Sequence, residues 1–217
     1  MSLLNTIPKI RGNLPPSTRQ SIVIPLLGGE IEGELVTFND LSDPREHIAI
    51  RLGPWRTTKQ PLLVRLHSEC LTGDVFASCK CDCGPQLQEA IRKIHEEGGI
   101  LLYLRQEGRD IGLYNKVDAY VLQSQGYDTF EANRMLRLPD DNRDYAFAAE
   151  MLKALGLKQI RLLSNNPDKA EQLRDYGVEI VERVPTGAFV NAHNQSYLSA
   201  KVRHSSHSID LENESND

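Results

Sequence analysis

All four cysteines of this 217-residue chain lie in one stretch, Cys70-Leu-Thr-Gly-Asp-Val-Phe-Ala-Ser-Cys79-Lys-Cys81-Asp-Cys83. Cysteines kept for packing would be scattered through a core, whereas a metal needs several soft ligands that a loop can bring to one point. Cys81 and Cys83, one residue apart, with Cys70 across a loop, suit zinc. Three protein ligands leave a fourth tetrahedral position for water and make a catalytic site, whereas four close the shell and make a structural one. The cysteine count is compatible with both. Disulfides or redox thiols fit less well: the chain shows no secretory signal peptide and too few cysteines for a disulfide-stapled scaffold, which points to a reducing, cytoplasmic setting. Three consecutive ligands from one extended run are unusual in a tetrahedral site, so Cys79 is the cysteine expected outside the ligand set.

A second chemistry-bearing stretch is Arg105-Gln-Glu-Gly-Arg-Asp-Ile-Gly112, charged and glycine-bearing. It follows the apolar run Ile100-Leu-Leu-Tyr-Leu, and the end of a buried strand is where open α/β sheets place ligands. The elements that must position both stretches are legible from periodicity. Ser21 to Leu27 reads as a strand, Gly28-Gly29 as a turn, and Glu30 to Phe38 alternates like its hairpin partner. His47 to Gly53 continues the β pattern, and Pro61 to His67 runs a strand into the cysteine loop. Leu87, Ala90, Ile91 and Ile94 form one face of a helix running from about Gln86 to Gly98. Further helices are expected over Lys116 to Ser124, Asp144 to Leu155 and Asp168 to Tyr176, with strands at Ile160 to Leu163 and Val178 to Val181. The last strand-helix-strand unit implies a parallel pair.

The expected fold class is therefore α/β with α+β character: a β-rich N-terminal part, then β-α-β units with a mixed sheet, and the cysteine loop directly after a strand. The expected organisation is a flexible arm over residues 1–20, one catalytic domain over 21–202 and a disordered tail over 203–217. A net charge of -5 argues against non-specific nucleic-acid binding. No apolar run approaches the ~18 residues that would cross a membrane.

Arg65-Leu-His-Ser-Glu-Cys-Leu-Thr-Gly-Asp74, Cys81-Asp-Cys-Gly84, Arg105 to Leu113, Gly126-Tyr-Asp-Thr-Phe-Glu-Ala-Asn133 and Leu163-Ser-Asn-Asn-Pro167 stand in this order. Together with Asn191, Asn194, Tyr197 and Leu198, they make residues 61–201 resemble GTP cyclohydrolase II of riboflavin biosynthesis. The resemblance implies that GTP loses the imidazole carbon of its guanine as formate and its outer phosphates as pyrophosphate, leaving a diaminopyrimidine ribosyl monophosphate. It implies one catalytic zinc per chain on Cys70, Cys81 and Cys83, with the metal acidifying a water for attack on the guanine ring. Cys79 becomes an expected buried neighbour of that site. Magnesium is implied on the triphosphate.

By the same resemblance Arg143 acts on the α-phosphate, with Asp141 as its proton acceptor. A guanidinium is a poor nucleophile, and electrostatic stabilisation is the physically easier role. By sequence alone these charges also suit the first turn of the following helix. Tyr120 matches a tyrosine near the zinc, able to orient water or donate a proton during ring opening; without the resemblance it reads as a packing aromatic. The substrate-contacting positions are Arg65, Leu66, His67, Ser68, Glu69, Gln86, Glu107, Gly108, Arg109, Thr129, Ser164 and Lys169. Within that set His67 is expected to be a hydrogen-bonded or core histidine, and Glu107 the acid reading the guanine edge, with Glu69 as the other option. Ser164 stands where relatives usually carry threonine, and Tyr114 where they carry an aliphatic residue. The ~60 residues upstream are too few for a dihydroxybutanone phosphate synthase domain, so a stand-alone form and, as in the family, a homodimer are expected. The competing readings are a GTP-binding paralogue without turnover and one that stops at the formamidopyrimidine. A zinc-ribbon nucleic-acid binder would want a second knuckle and a basic surface.

Overall fold

The computed structural model describes residues 14–139 and 141–195. The expected tail, most of the expected arm, Asp140, Tyr197 and Leu198 lie outside the described residues. Strand β1 (Ser17–Leu26) turns through Leu27–Gly29 into β2 (Ile31–Asn39), followed by β3 (Ile48–Leu52) and β4 (Leu63–Ser68). A short helix α1 (Leu71–Asp74) opens the cysteine loop, and α2 (Cys83–Glu97) closes it and leads to β5 (Gly99–Leu104). Then come the tight turn α3 (Glu107–Asp110), helices α4 (Leu113–Ser124), α5 (Thr129–Met135) and α6 (Ala146–Ala154), strand β6 (Gln159–Leu163), helix α7 (Pro167–Asp175) and strand β7 (Glu179–Val184).

The seven strands form one mixed sheet in the order β1-β2-β3-β5-β4-β6-β7. β1, β2, β3 and β5 pair antiparallel, and β5, β4, β6 and β7 pair parallel. The expected hairpin is present, but its first strand begins at Ser17, inside the stretch expected to be an arm. Ser17 and Thr18 pair with Asn39 and Phe38 at an exposed sheet edge, and at the following register shift Gln20 bonds the Thr37 hydroxyl; no apolar side chain is required there, so hydrophobic alternation does not reveal the run.

Period-two alternation on the central strands builds two cores. Val64, Leu66, Ile100, Leu102 and Leu104 face one side and pack with Phe147, Ala148, Met151 and Leu152 of α6 and with Ala170 and Leu173 of α7. Leu63 and Leu101 face the other side and pack with Ala90, Ile91 and Ile94 of α2. With helices on both faces, these strands are buried on both sides and read as continuous apolar runs.

Helix boundaries shift where capping decides them. α6 starts at Ala146, two residues after the expected Asp144, because Asp144 Oδ1 stays outside and accepts from the Ala146 amide at 2.8 Å and the Tyr176 hydroxyl at 3.0 Å. α4 starts earlier than Lys116, since the Lys116 amide already closes a turn onto the Gly112 carbonyl. β7 extends to Val184 through the polar residues Glu182 and Arg183, which ladder pairing holds with β6.

Candidate active site

Where α2 connects β4 to β5 on one face and α7 connects β6 to β7 on the other, the chain winds in opposite directions from neighbouring strands β4 and β6. That reversal opens a crevice at the carboxyl ends of the parallel strands, the standard ligand position in such sheets. Residues at or just beyond the ends of β4, β5 and β6 converge on one cavity there: Ser68 and Cys70, Glu107 and Arg109, Ser164 and Asn165.

The cysteine loop forms its floor. The sulfurs of Cys70, Cys81 and Cys83 all lie within 4.8 Å of one another, and Cys70 and Cys81 are 3.6 Å apart. Zinc–sulfur bonds of about 2.3 Å at tetrahedral angles put sulfurs roughly 3.8 Å apart, so the trio fits one zinc ion. Gly73 permits the approach, because a Cβ there would meet Cys81 Sγ at 2.8 Å and Cys70 Sγ at 3.2 Å. Gly84 permits another, its Cβ position being 2.4 Å from the Gly73 carbonyl oxygen, so two glycines set how close α1 comes to the start of α2. Cys70 is drawn toward the thiolate by hydrogen bonds from Cys81 and Cys83, and the hydrogen bond Cys81 gives to Cys70 pushes Cys81 up to about 11. Thiols that share protons in this way exchange them readily for a cation. Cys79 is exposed. This corrects the expectation of a buried neighbour: the turn between α1 and α2 carries its side chain out of the cluster.

Asp74 braces the loop from beneath. Its side chain, 3% exposed, accepts from the Cys70 amide at 3.0 Å, the Tyr103 hydroxyl at 2.9 Å and His67 Nε2 at 3.1 Å. Burial keeps His67 neutral, with Asp74 acting against that trend, and keeps the Tyr103 phenol protonated, so both are donors here. Arg65 reaches from β4 to the Leu163 carbonyl at 3.1 Å and to Gln86 Oε1 at 2.9 Å, and Gln86 in turn donates to Asp82, between two of the cysteines, at 2.7 Å.

Also lining the cavity, Arg143 lies bidentate on Asp141, with Nε to Oδ1 at 2.8 Å and Nη2 to Oδ2. Burial raises the Asp141 carboxyl, but the Arg143 hydrogen bonds and charge outweigh it and leave Asp141 below the usual carboxylate range. The Asn142 amide donates to the Arg109 carbonyl at 3.1 Å, fastening this loop to the α3 turn. That turn is left-handed at Gly108, Arg109 and Asp110, with φ of 63°, 59° and 71°. Two consecutive non-glycine residues in this region cost energy that surrounding contacts must offset. Asp110 is held by Arg45, which also grips Asp43 on the loop between β2 and β3.

The family model described as GTP cyclohydrolase II matches residues 19–185. The chain belongs to that family. The GTP cyclohydrolase-2 of Vibrio vulnificus (strain CMCP6) is 55% identical over 179 residues, 82% of this chain and 90% of that protein. The GTP cyclohydrolase-2 of Vibrio cholerae serotype O1 is 54% identical over 181 residues, 83% of this chain and 91% of that protein. The riboflavin biosynthesis protein RibBA of Bacillus cereus is 51% identical over 177 residues, which cover 81% of this chain and 44% of that protein.

The residues carried over from the GTP cyclohydrolase II family fall unevenly on the cavity. Arg65, His67, Ser68, Glu69, Gln86 and the three cysteines line it, as do Glu107, Gly108, Arg109, Tyr120, Arg143, Ser164 and Lys169. Asp141 stands behind Arg143 as its partner. Leu66 is fully buried in the core and offers the site only its carbonyl, which accepts from Lys169 Nζ at 2.8 Å. Thr129 opens α5, and its side chain lies outside the described structure. Glu107 is occupied by protein donors: Lys116 Nζ at 2.8 Å, the Leu71 amide at 2.7 Å and the Gly108 amide at 2.9 Å. Sequence reasoning missed Lys116, Asn165, Asn166 and Thr186 among the lining residues. Lys116 had a readable signal, one helical turn before Tyr120 on the same face. Thr186 had none, since only the sheet order brings the end of β7 to this edge.

Proposed function

We propose that this chain hydrolyses GTP, releasing formate and pyrophosphate and leaving 2,5-diamino-6-(5-phospho-ribosylamino)pyrimidin-4-one, the opening step of riboflavin biosynthesis. The observation that carries this reading is one cavity lined both by the three-cysteine cluster and by Arg143, which Asp141 grips from behind. Cys70, Cys81 and Cys83 would hold zinc, which when bound supplies a Lewis acid and water acidified toward neutral pH for attack on the guanine imidazole carbon. Tyr120 reaches the cluster through Thr72, its hydroxyl 3.5 Å from Thr72 Oγ1. Burial raises its pKa, so it stands ready as a proton donor when the ring opens.

Arg143, Arg109 and Lys169 provide cations for the triphosphate, with magnesium on its oxygens. Asp141 holds the Arg143 guanidinium in one plane. An anion of lowered pKa is a weak proton acceptor, which supports Arg143 as an electrostatic clamp on the transferring phosphoryl group over a covalent nucleophile. Arg65, Glu69, Gln86 and Ser164 complete the substrate contacts. The catalytic unit spans the sheet and its helices, and we place it in the cytoplasm, where the thiols stay reduced, as a homodimer.

Purified protein of known metal content, incubated with GTP and magnesium, tests the reading when formate, pyrophosphate and product absorbance are scored together. All three products with about one zinc per chain, and loss of formate in Cys81→Ser, are expected. Pyrophosphate without formate would identify a paralogue arrested before ring opening, and bound GTP without product would leave a binding module.

A further inference from the structure

Lys116 is an ammonium buried at the base of the cavity, its side chain 11% exposed. Its three N–H donors meet three acceptors: Glu107 Oε1 at 2.8 Å, Cys70 Sγ at 3.1 Å and Thr72 Oγ1 at 3.2 Å. An ammonium has three donors and no more, so nothing is left over for a substrate phosphate. Two of the acceptors belong to the cysteine loop. The third, Glu107, also receives the Leu71 amide at 2.7 Å, one residue beyond Cys70, so it ties the lysine and the loop together. The lysine stem packs closely as well: the Cβ position of Gly108 is 3.2 Å from Lys116 Cβ, so a side chain there would crowd it.

Resting on the metal reading of the cysteine cluster given above, we infer that Lys116 is a positioning residue for the metal centre, its ammonium donating an N–H···S hydrogen bond that fixes the Cys70 thiolate and draws charge from its sulfur. Charge-assisted hydrogen bonds of this kind orient a ligand and tune the metal it holds, and their loss weakens metal binding by about 10–100-fold. A lysine serving only as a salt-bridge partner of Glu107 would affect folding and leave the metal untouched. Likewise, a lysine serving the triphosphate would alter GTP affinity and not metal retention.

The test omits GTP. Wild-type protein, Lys116→Gln and Glu107→Gln are loaded with cobalt(II) as a spectroscopic stand-in for zinc. Metal retention against a competing chelator and the thiolate-to-metal charge-transfer band are then measured, with thermal melting as the check on folding. Lys116→Gln should lose retention by about 10–100-fold and move the band to longer wavelength, because the sulfur is then more electron-rich. Glu107→Gln, which keeps the lysine but loosens it, should show a smaller loss in the same direction. Lys116→Arg should recover part of both. Retention within twofold of wild type and an unmoved band in whichever of the two glutamine variants folds would overturn the inference. Failure of the wild-type protein to bind cobalt or zinc at all would instead sink the metal reading on which it rests.

Discussion

Tyr120 and Arg143 face one cavity from different elements, and the proposed reaction assigns them to different bond-breaking events. Removing the phenolic proton in Tyr120→Phe should therefore lower formate release by about 10²–10⁴-fold while pyrophosphate release persists, which a paired assay of the two products would show. Arg143→Lys keeps the charge but loses the planar fork seated on Asp141. It should lower the rate of pyrophosphate release by about 10²–10³-fold with zinc content unchanged, and an unaltered rate would remove Arg143 from the phosphate chemistry. The spacing of the cysteines and the Arg-x-x-Gly-type charged segment were readable as chemistry from the chain alone. The commitment of Glu107 to three protein donors was not, because two of its partners, Leu71 and Lys116, are brought to it by packing.

At the scale of elements, the geometry of the cysteine cluster depends on how α1 meets α2. Gly73→Ala would place a methyl group 2.8 Å from Cys81 Sγ and against the neighbouring cysteines, closer than packed atoms approach. It should cost most of the bound zinc while far-ultraviolet circular dichroism stays near wild type, with metal analysis as the deciding measurement. The left-handed turn of α3 poses a similar question of support. Arg45 holds Asp110 from the loop between β2 and β3, giving the β-rich N-terminal part a definite task in shaping the site. Arg45→Ala should raise the KM for GTP several-fold with little change in zinc content, since relaxing this turn moves Arg109 without disturbing the cysteines. The hairpin, the central strands and the long helices were legible because each satisfies one period over many residues. α1, α3 and α5 were not, being too short or too irregular for a period to register; α1 and α3 are held by bonds to remote residues, the Leu71 amide to Glu107 and the Arg109 carbonyl to the Asn142 amide, and α5 is capped locally by the reciprocal Asp128–Glu131 bonds.

For the molecule as a whole, two buried histidines make stability depend on pH. Burial lowers the pKa of His47, and that of His67, below the ordinary value, in each case against an aspartate that acts the other way. His47 stacks on Phe147 at 4.0 Å and its Nδ1 accepts from the Arg105 amide at 3.0 Å, a bond that protonation would abolish. Because the folded state holds both rings neutral, the unfolded chain binds more protons once the pH falls below about 6.5. Stability should be full above that value and fall as the pH drops toward the lowered folded pKa values, by at most about 1.4 kcal/mol per pH unit for each histidine. Urea unfolding between pH 7.5 and pH 5 on wild type and His47→Gln would show a shallower slope in the variant. Packing is the other global determinant: Leu102→Ala, at a fully buried position of the central sheet, should cost about 2–5 kcal/mol in the same experiment.

The sequence by itself determined the class of fold, the gathering of the cysteines into one loop and the order of the charged segments around it, because periodicity and residue type act over short distances along the chain. Only the tertiary structure decided that Cys79 points to solvent, that Ser17 to Gln20 belong to the sheet, that Leu66 is core and that Lys116 is spent on Cys70 and Glu107. Those outcomes rest on contacts between residues remote in sequence, above all on β4 lying between β5 and β6. That strand order brings the ends of four parallel strands to one edge, and no local pattern in the chain encodes it.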